Sequence, residues 1–88
     1  PVEYKGFSMY KQVTYVEPRR DYTLILKFSN DETKRLDFTP YLDSGVFKQL
    51  KDIDRFMKAH VSFDTVEWDE DIDIDPEFLY DKGEKYSP

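Results

Sequence analysis

The stretch "YTLILKFSNDETKRLDF", residues 22–38, decides the fold. Tyr22, Leu24, Leu26 and Phe28 recur at every second position, the period of a strand with one buried face. The following "SNDE" (29–32) is built from residues that favour turns. The chain then returns through "TKRLDF" (33–38), with Leu36 and Phe38 on one face. Loop length matters here, because a slip of one residue turns every side chain to the opposite face. A three-residue loop sets Leu36 across from Leu24 or Leu26, whereas a two-residue loop sets it across from Ile25. The apolar pattern therefore predicts a loop of odd length with a bulge.

Working outward on the N-terminal side, "MYKQVTYV" (9–16) alternates and is rich in strand formers. "EPRRD" (17–21) is a turn, since Pro18 fixes its own φ and removes a ladder donor. Residues 1–8 read as a short leader with room for one strand. On the C-terminal side, "TPYLDSG" (39–45) predicts a brief helical turn. Thr39 is its N-cap, Pro40 its first residue and Gly45 its stop. "VFKQL" (46–50) extends it as a short helix. "DIDRFMKA" (52–59) predicts the main helix, capped by Asp52 and striped by Ile53, Phe56 and Met57. "HVSF" (60–63) is a short strand.

The segment "TVEWDEDIDIDPEFLY" (65–80) predicts a small hairpin. A loop at Asp69–Asp71 pairs Trp68 with Ile72 and Val66 with Ile74, giving one apolar and one acidic face. Asp75 caps a last helical turn, with Pro76 at its first position and Glu77 favoured by the helix dipole. Phe78, Leu79 and Tyr80 dock that turn on the sheet, and residues 82–88 form a loose tail. The expected fold is α+β: a small antiparallel meander sheet, one main helix on one face, and a short C-terminal helical turn, all in a single domain over 1–88.

Composition narrows the function. The absence of cysteine excludes disulfides, thiolate zinc sites and cysteine nucleophiles. No apolar run reaches the roughly 20 residues of a membrane span, and the expected location is the cytoplasm. The net charge of −6 is uneven. Residues 64–81 hold nine acids and no Lys or Arg; the rest holds 13 bases and 10 acids. A phosphate-backbone binder needs clustered Lys and Arg, so direct nucleic-acid binding is not expected.

Several ordered motifs resemble one family. Val16, Pro18, Asp21 and Tyr22 carry a "V-x-P-x-x-D-Y" opening. Asp37, Pro40, Tyr41, Leu42, Gly45, Val46, Phe47, Leu50, Lys51 and Asp52 carry a "D-x-x-P-Y-L-x-x-G-V-F-x-x-L-K-D" segment. Trp68, Asp73, Ile74, Pro76, Glu77, Phe78, Leu79 and Tyr80 carry the closing "W-x-x-x-x-D-I-x-P-E-F-L-Y". Over residues 9–81 the chain resembles the bacterial family called domain of unknown function 2442. It departs from the family pattern at Asp31, Asp64 and Asp71, where glycine is usual, and through the eight residues before Met9. The resemblance implies a small bacterial protein. Some relatives carry a helix-turn-helix domain after this module, and some are encoded beside a small partner in toxin–antitoxin-like pairs. For these 88 residues the expectation is the accompanying module alone, without the DNA-binding domain.

Candidate chemistry is sparse. Read as a calcium loop, the acidic run fails: from Asp69 the sixth and twelfth positions are Ile74 and Tyr80, and from Asp71 they are Pro76 and Lys82. His60 is the only histidine, too few for a zinc site, and as a base it would need a partner and a cleft. No serine lies in a G-x-S-x-G elbow, and three glycines make no phosphate-binding loop. Trp68 reads as a core residue more than an interface anchor. The expectation is a non-catalytic protein-interaction module with no cofactor and no metal. Its partner-binding candidates are Asp69, Glu70, Asp71, Asp73, Arg19 and Arg20. The partner is a protein, in the most specific form the toxin-like half of a pair, and a homodimer through a sheet edge is also open. The alternatives are a small enzyme using the hairpin carboxylates, or an accessory to a DNA-binding regulator.

Overall fold

In the computed structural model, which describes residues 11–69 and 72–87, the 22–38 stretch forms the expected hairpin. Strand β2 (Thr23–Phe28) pairs antiparallel with β3 (Thr33–Asp37), and Leu24 faces Leu36. The Phe28 N–H donates to the Glu32 carbonyl and the Asp31 N–H to the Phe28 carbonyl, each at 2.9 Å. That leaves Ser29–Asp31 as a three-residue loop with Asp31 in the left-handed region at φ +70°. The odd loop keeps Leu24, Leu26, Phe28, Leu36 and Phe38 buried together.

Strand β1 (Val13–Pro18) pairs with β2 through a second loop of the same design. The Arg19 N–H donates to Thr23 (2.8 Å) and the Tyr22 N–H to Arg19 (3.0 Å), with Tyr22 at φ +67°. The strand thus runs through Pro18, which an outer strand tolerates because its missing donor faces no neighbour. Tyr22 sits in the turn, not on the strand face.

The fold class differs from the α+β expectation. The described residues are mostly β, with one four-stranded and one three-stranded antiparallel sheet, and no main helix packed on either. Residues 52–59 yield only α1 (Ile53–Phe56), a single turn. Asp52 does cap it, its carboxylate accepting from the Asp54 N–H at 3.1 Å. As an extended residue (φ −70°, ψ 109°), however, Asp52 also breaks α1 from the 3-10 turn at Gly45–Lys51. Neither fragment is long enough to offset helix nucleation on its own. An earlier 3-10 turn at Thr39–Tyr41 carries Pro40 in its first positions.

The second sheet contains β4 (His60–Ser62), β5 (Thr65–Asp69) and β6 (Ile72–Ile74), in that order. Val66 pairs with Ile74 as the alternation predicts, but Ile72 pairs with Asp69 because a bulge displaces Trp68. The Val13 N–H donates to the Asp64 carbonyl at 2.9 Å, tying β1 to this sheet. Then α2 (Pro76–Lys82) starts at Asp75, whose carboxylate accepts from the Glu77 N–H at 2.8 Å. The residues read as a loose tail contain instead β7 (Glu84–Lys85), which extends the first sheet beside β3. The leader at 1–8 and the start of the 9–16 strand lie outside the described residues.

Core residues from both sheets meet at Phe38, which is fully buried. Its ring lies 5.4 Å from Tyr41, 5.2 Å from Phe47, 6.0 Å from Phe56 and 5.4 Å from Trp68. The Trp68 indole N–H donates to the Phe56 carbonyl at 3.0 Å, satisfying an end of α1. Phe38→Ala should cost about 3–5 kcal/mol, enough to leave so small a domain largely unfolded in a urea titration. Gly83→Ala tests the α2–β7 corner, where an added Cβ would come within 2.9 Å of the Leu79 carbonyl oxygen and 3.0 Å of Lys34 Cβ. It should lower stability by roughly 1–3 kcal/mol in the same assay.

Candidate functional site

The second sheet separates apolar from acidic residues by strand alternation. Val66, Trp68, Ile72 and Ile74 are buried, while Asp73 is exposed. Across the outward face runs a row from His60 to Glu67 to Asp73, each directly opposite the next on its neighbouring strand. His60 Nε2 lies 3.4 Å from Glu67 Oε1, and Nδ1 lies 3.0 Å from the Lys58 carbonyl. Glu67 and Asp73 are like charges face to face, a pairing that costs stability. Among the described residues no cation lies within ion-pair distance of Asp73.

Asp73 stands on β6, the outer strand of its sheet, beside an open groove lined by Thr65, Ile74, Asp75, Pro76 and Glu77. The Thr65 hydroxyl donates to the Ile74 carbonyl, closing the floor. Pro76 and Glu77, the first turn of α2, form one wall. That wall is fastened to the first sheet through Tyr80. Its ring meets Phe28 edge-on at 5.1 Å, its hydroxyl donates to Glu32, and its carbonyl accepts from Lys34 Nζ at 2.6 Å. Lys34 Nζ also lies 3.6 Å from the Tyr80 ring centre. The Tyr80 hydroxyl, with help from Asn30, holds the Glu32 carboxyl below its ordinary value. Glu32 in turn pushes the Tyr80 phenol up.

The six sequence-derived candidates fall in different settings. Asp73 lines the groove and Asp69 ends β5, while Glu70 and Asp71 lie outside the described residues. Arg19 and Arg20 belong to the β1–β2 turn region and are engaged within the chain. Arg19 contacts Glu17 at 3.3 Å and lies over the Tyr86 ring at 5.8 Å; Arg20 contacts Asp54 at 3.3 Å. Sequence reasoning did not join Thr65 and Glu77 to Asp73, because only the fold of α2 against the hairpin brings them together. It also passed over Phe63, read as a strand end. A bulky aromatic in a two-residue gap between alternating strands was the available signal.

A second, polar depression collects Arg35, Asp37, Tyr41, Lys82 and Glu84, with both charge signs represented. Among the described residues no three carboxylate, histidine or cysteine groups gather as a metal would require. No helix among them is long and apolar enough to cross a membrane.

A family model described as "Protein of unknown function (DUF2442)" matches residues 13–85. The match covers most of the chain, and the chain belongs to that family. Comparison with curated proteins and with solved structures gives no match.

The Tyr80–Glu32 bond that holds the groove wall sets a pH window. A carboxyl depressed by folding stabilises above its unfolded pKa and loses that contribution as pH falls through its folded value. A phenol raised by folding stabilises below its unfolded pKa, and the contribution is lost as pH rises through its folded value. Tyr80→Phe should therefore lower the melting temperature most near neutral pH. The gap to the parent should narrow towards both acid and alkaline ends of a melting series run from about pH 3 to about pH 11.

Proposed function

We propose that this DUF2442 member is a non-catalytic protein-interaction module that presents the β6 groove to a basic partner. The observation that carries the reading is the coincidence of three features at one edge. Among the described residues strand β6 has a neighbour on one side only. Asp73 is exposed there, opposite Glu67. Asp75 and Glu77 add their charge along the same groove. A free strand edge accepts an extended segment through backbone hydrogen bonds. The carboxylates select a positively charged one and speed its approach.

The like charges of Glu67 and Asp73 support the same reading: His60 lies 3.4 Å from Glu67, but no cation among the described residues stands beside Asp73, and an arriving one relieves the repulsion. In its most specific form the partner is the small toxin-like protein that the family resemblance implies, met in a bacterial cytoplasm. Pairing of two copies through this edge would set carboxylates against carboxylates, so a hetero-partner is favoured.

An NMR titration with an extended peptide alternating lysine and serine checks the reading. Shifts should concentrate at Thr65 and Asp73–Glu77 and weaken as salt rises. The double substitution Asp73→Lys and Glu77→Lys should reduce affinity about tenfold or more at low ionic strength. Shifts spread over the first sheet, or binding indifferent to salt, would count against it.

A further inference from the structure

The β4–β5 turn consists of Phe63 and Asp64, between the paired residues Ser62 and Thr65. Phe63 is 100% exposed and sits in the left-handed region at φ +58°. A two-residue hairpin turn with positive φ at its first position is the place where glycine is preferred. Three residues other than glycine adopt such a φ among the described ones, and the other two have a local reason. Asp31 belongs to a residue type that tolerates the left-handed region. Tyr22 is held by its ring 5.2 Å from Phe56 and by its hydroxyl donating to the Lys51 carbonyl. Phe63 has no such contact among the described residues. Its ring contributes nothing to the fold while occupying a backbone position ill suited to it.

Its position is informative. Phe63 lies two residues before Thr65, which lines the acidic groove, and at the end of the sheet where β6 leads into Asp75. A fully wetted ring therefore stands on the turn that leads into Thr65, at the same end of the sheet as the acidic groove. We propose that Phe63 is the apolar anchor of the docking edge. Its occupant is an extended segment of a partner protein in which lysine or arginine alternates with apolar side chains. Basic residues meet Asp73, Asp75 and Glu77, and an apolar residue between them covers the ring. The acidic surroundings disfavour a second copy of this chain, whose own groove carries the same sign. This inference rests on the docking reading above and adds the apolar half of its specificity.

The test compares two synthetic peptides, one alternating lysine with leucine and one alternating lysine with serine, against the full chain and its Phe63→Gly variant. The parent should bind the lysine–leucine peptide about tenfold more tightly than the lysine–serine peptide, a difference that partial burial of a phenylalanine ring supplies. Phe63→Gly should melt at the same temperature or higher, since glycine fits a positive φ. It should bind both peptides with the parent's lower affinity. Equal affinity of the parent for both peptides, or a preference that survives Phe63→Gly, overturns the role of Phe63 and leaves the acidic docking reading standing. Binding of neither peptide at low salt overturns both. A dimer in sedimentation velocity that Phe63→Gly abolishes overturns the choice of occupant.

Discussion

The contact on which this structure depends is the ring cluster around Phe38. That residue ends the β2–β3 hairpin, and its N–H donates to the Tyr22 carbonyl at 2.8 Å. Its ring touches Tyr41 and Phe47 from the 3-10 segments, Phe56 from α1 and Trp68 from β5. One side chain thus links the first sheet, the connecting turns and the second sheet. A chain of 88 residues has little interior to spare, and aromatic rings supply large buried area from few positions. The connecting segment needs no long helix, because Phe47, Leu50 and Phe56 reach the core from short turns.

This explains which parts of the architecture were legible in the sequence. The loop of residues 29–31 was readable because parity is a geometric constraint: only an odd loop keeps Leu24 and Leu36 on one side. The caps at Asp52 and Asp75 were readable because a short acidic side chain before a helical run has one favourable use. The helix at 52–59 was over-read. Ile53, Phe56 and Met57 fit a helical stripe, but a stripe of three positions is equally served by one turn beside a packed ring cluster. Strand β7 was missed because "EK" carries no pattern; its pairing is set by α2 delivering the chain next to β3.

The groove shows the same division. The two-faced hairpin followed directly from alternation, and Asp73 was placed on its acidic side. The wall formed by Pro76 and Glu77 was not visible as part of a site, since it depends on Tyr80 reaching Phe28, Glu32 and Lys34 from a different sheet. Arg19 and Arg20 looked available in the sequence because adjacent charges in a turn usually are. In the fold they lie at the β1–β2 turn, with Glu17, Tyr86 and Asp54 as neighbours.

The acidity of the chain therefore has two origins that composition alone merges. One group of carboxylates shapes the backbone. Asp21, Asp37, Asp52 and Asp75 each accept an N–H from the residue two positions on, at 3.1, 3.0, 3.1 and 2.8 Å. Asn30 does the same with its amide oxygen at 3.2 Å. Each such bond turns the chain where a strand ends or a helical turn begins. Their number follows from the many short elements, and no partner is needed to account for them. Glu67 and Asp73 make no such turn. They stand opposite each other in the middle of strands, where the fold would be better served by unlike charges. Within the second sheet they are the acids set opposite each other in mid-strand, and of the two Glu67 has His60 Nε2 at 3.4 Å while Asp73 has no cation among the described residues beside it. That placement is what supports proposing the β6 side of the sheet, rather than the acidic run as a whole, as the interaction surface.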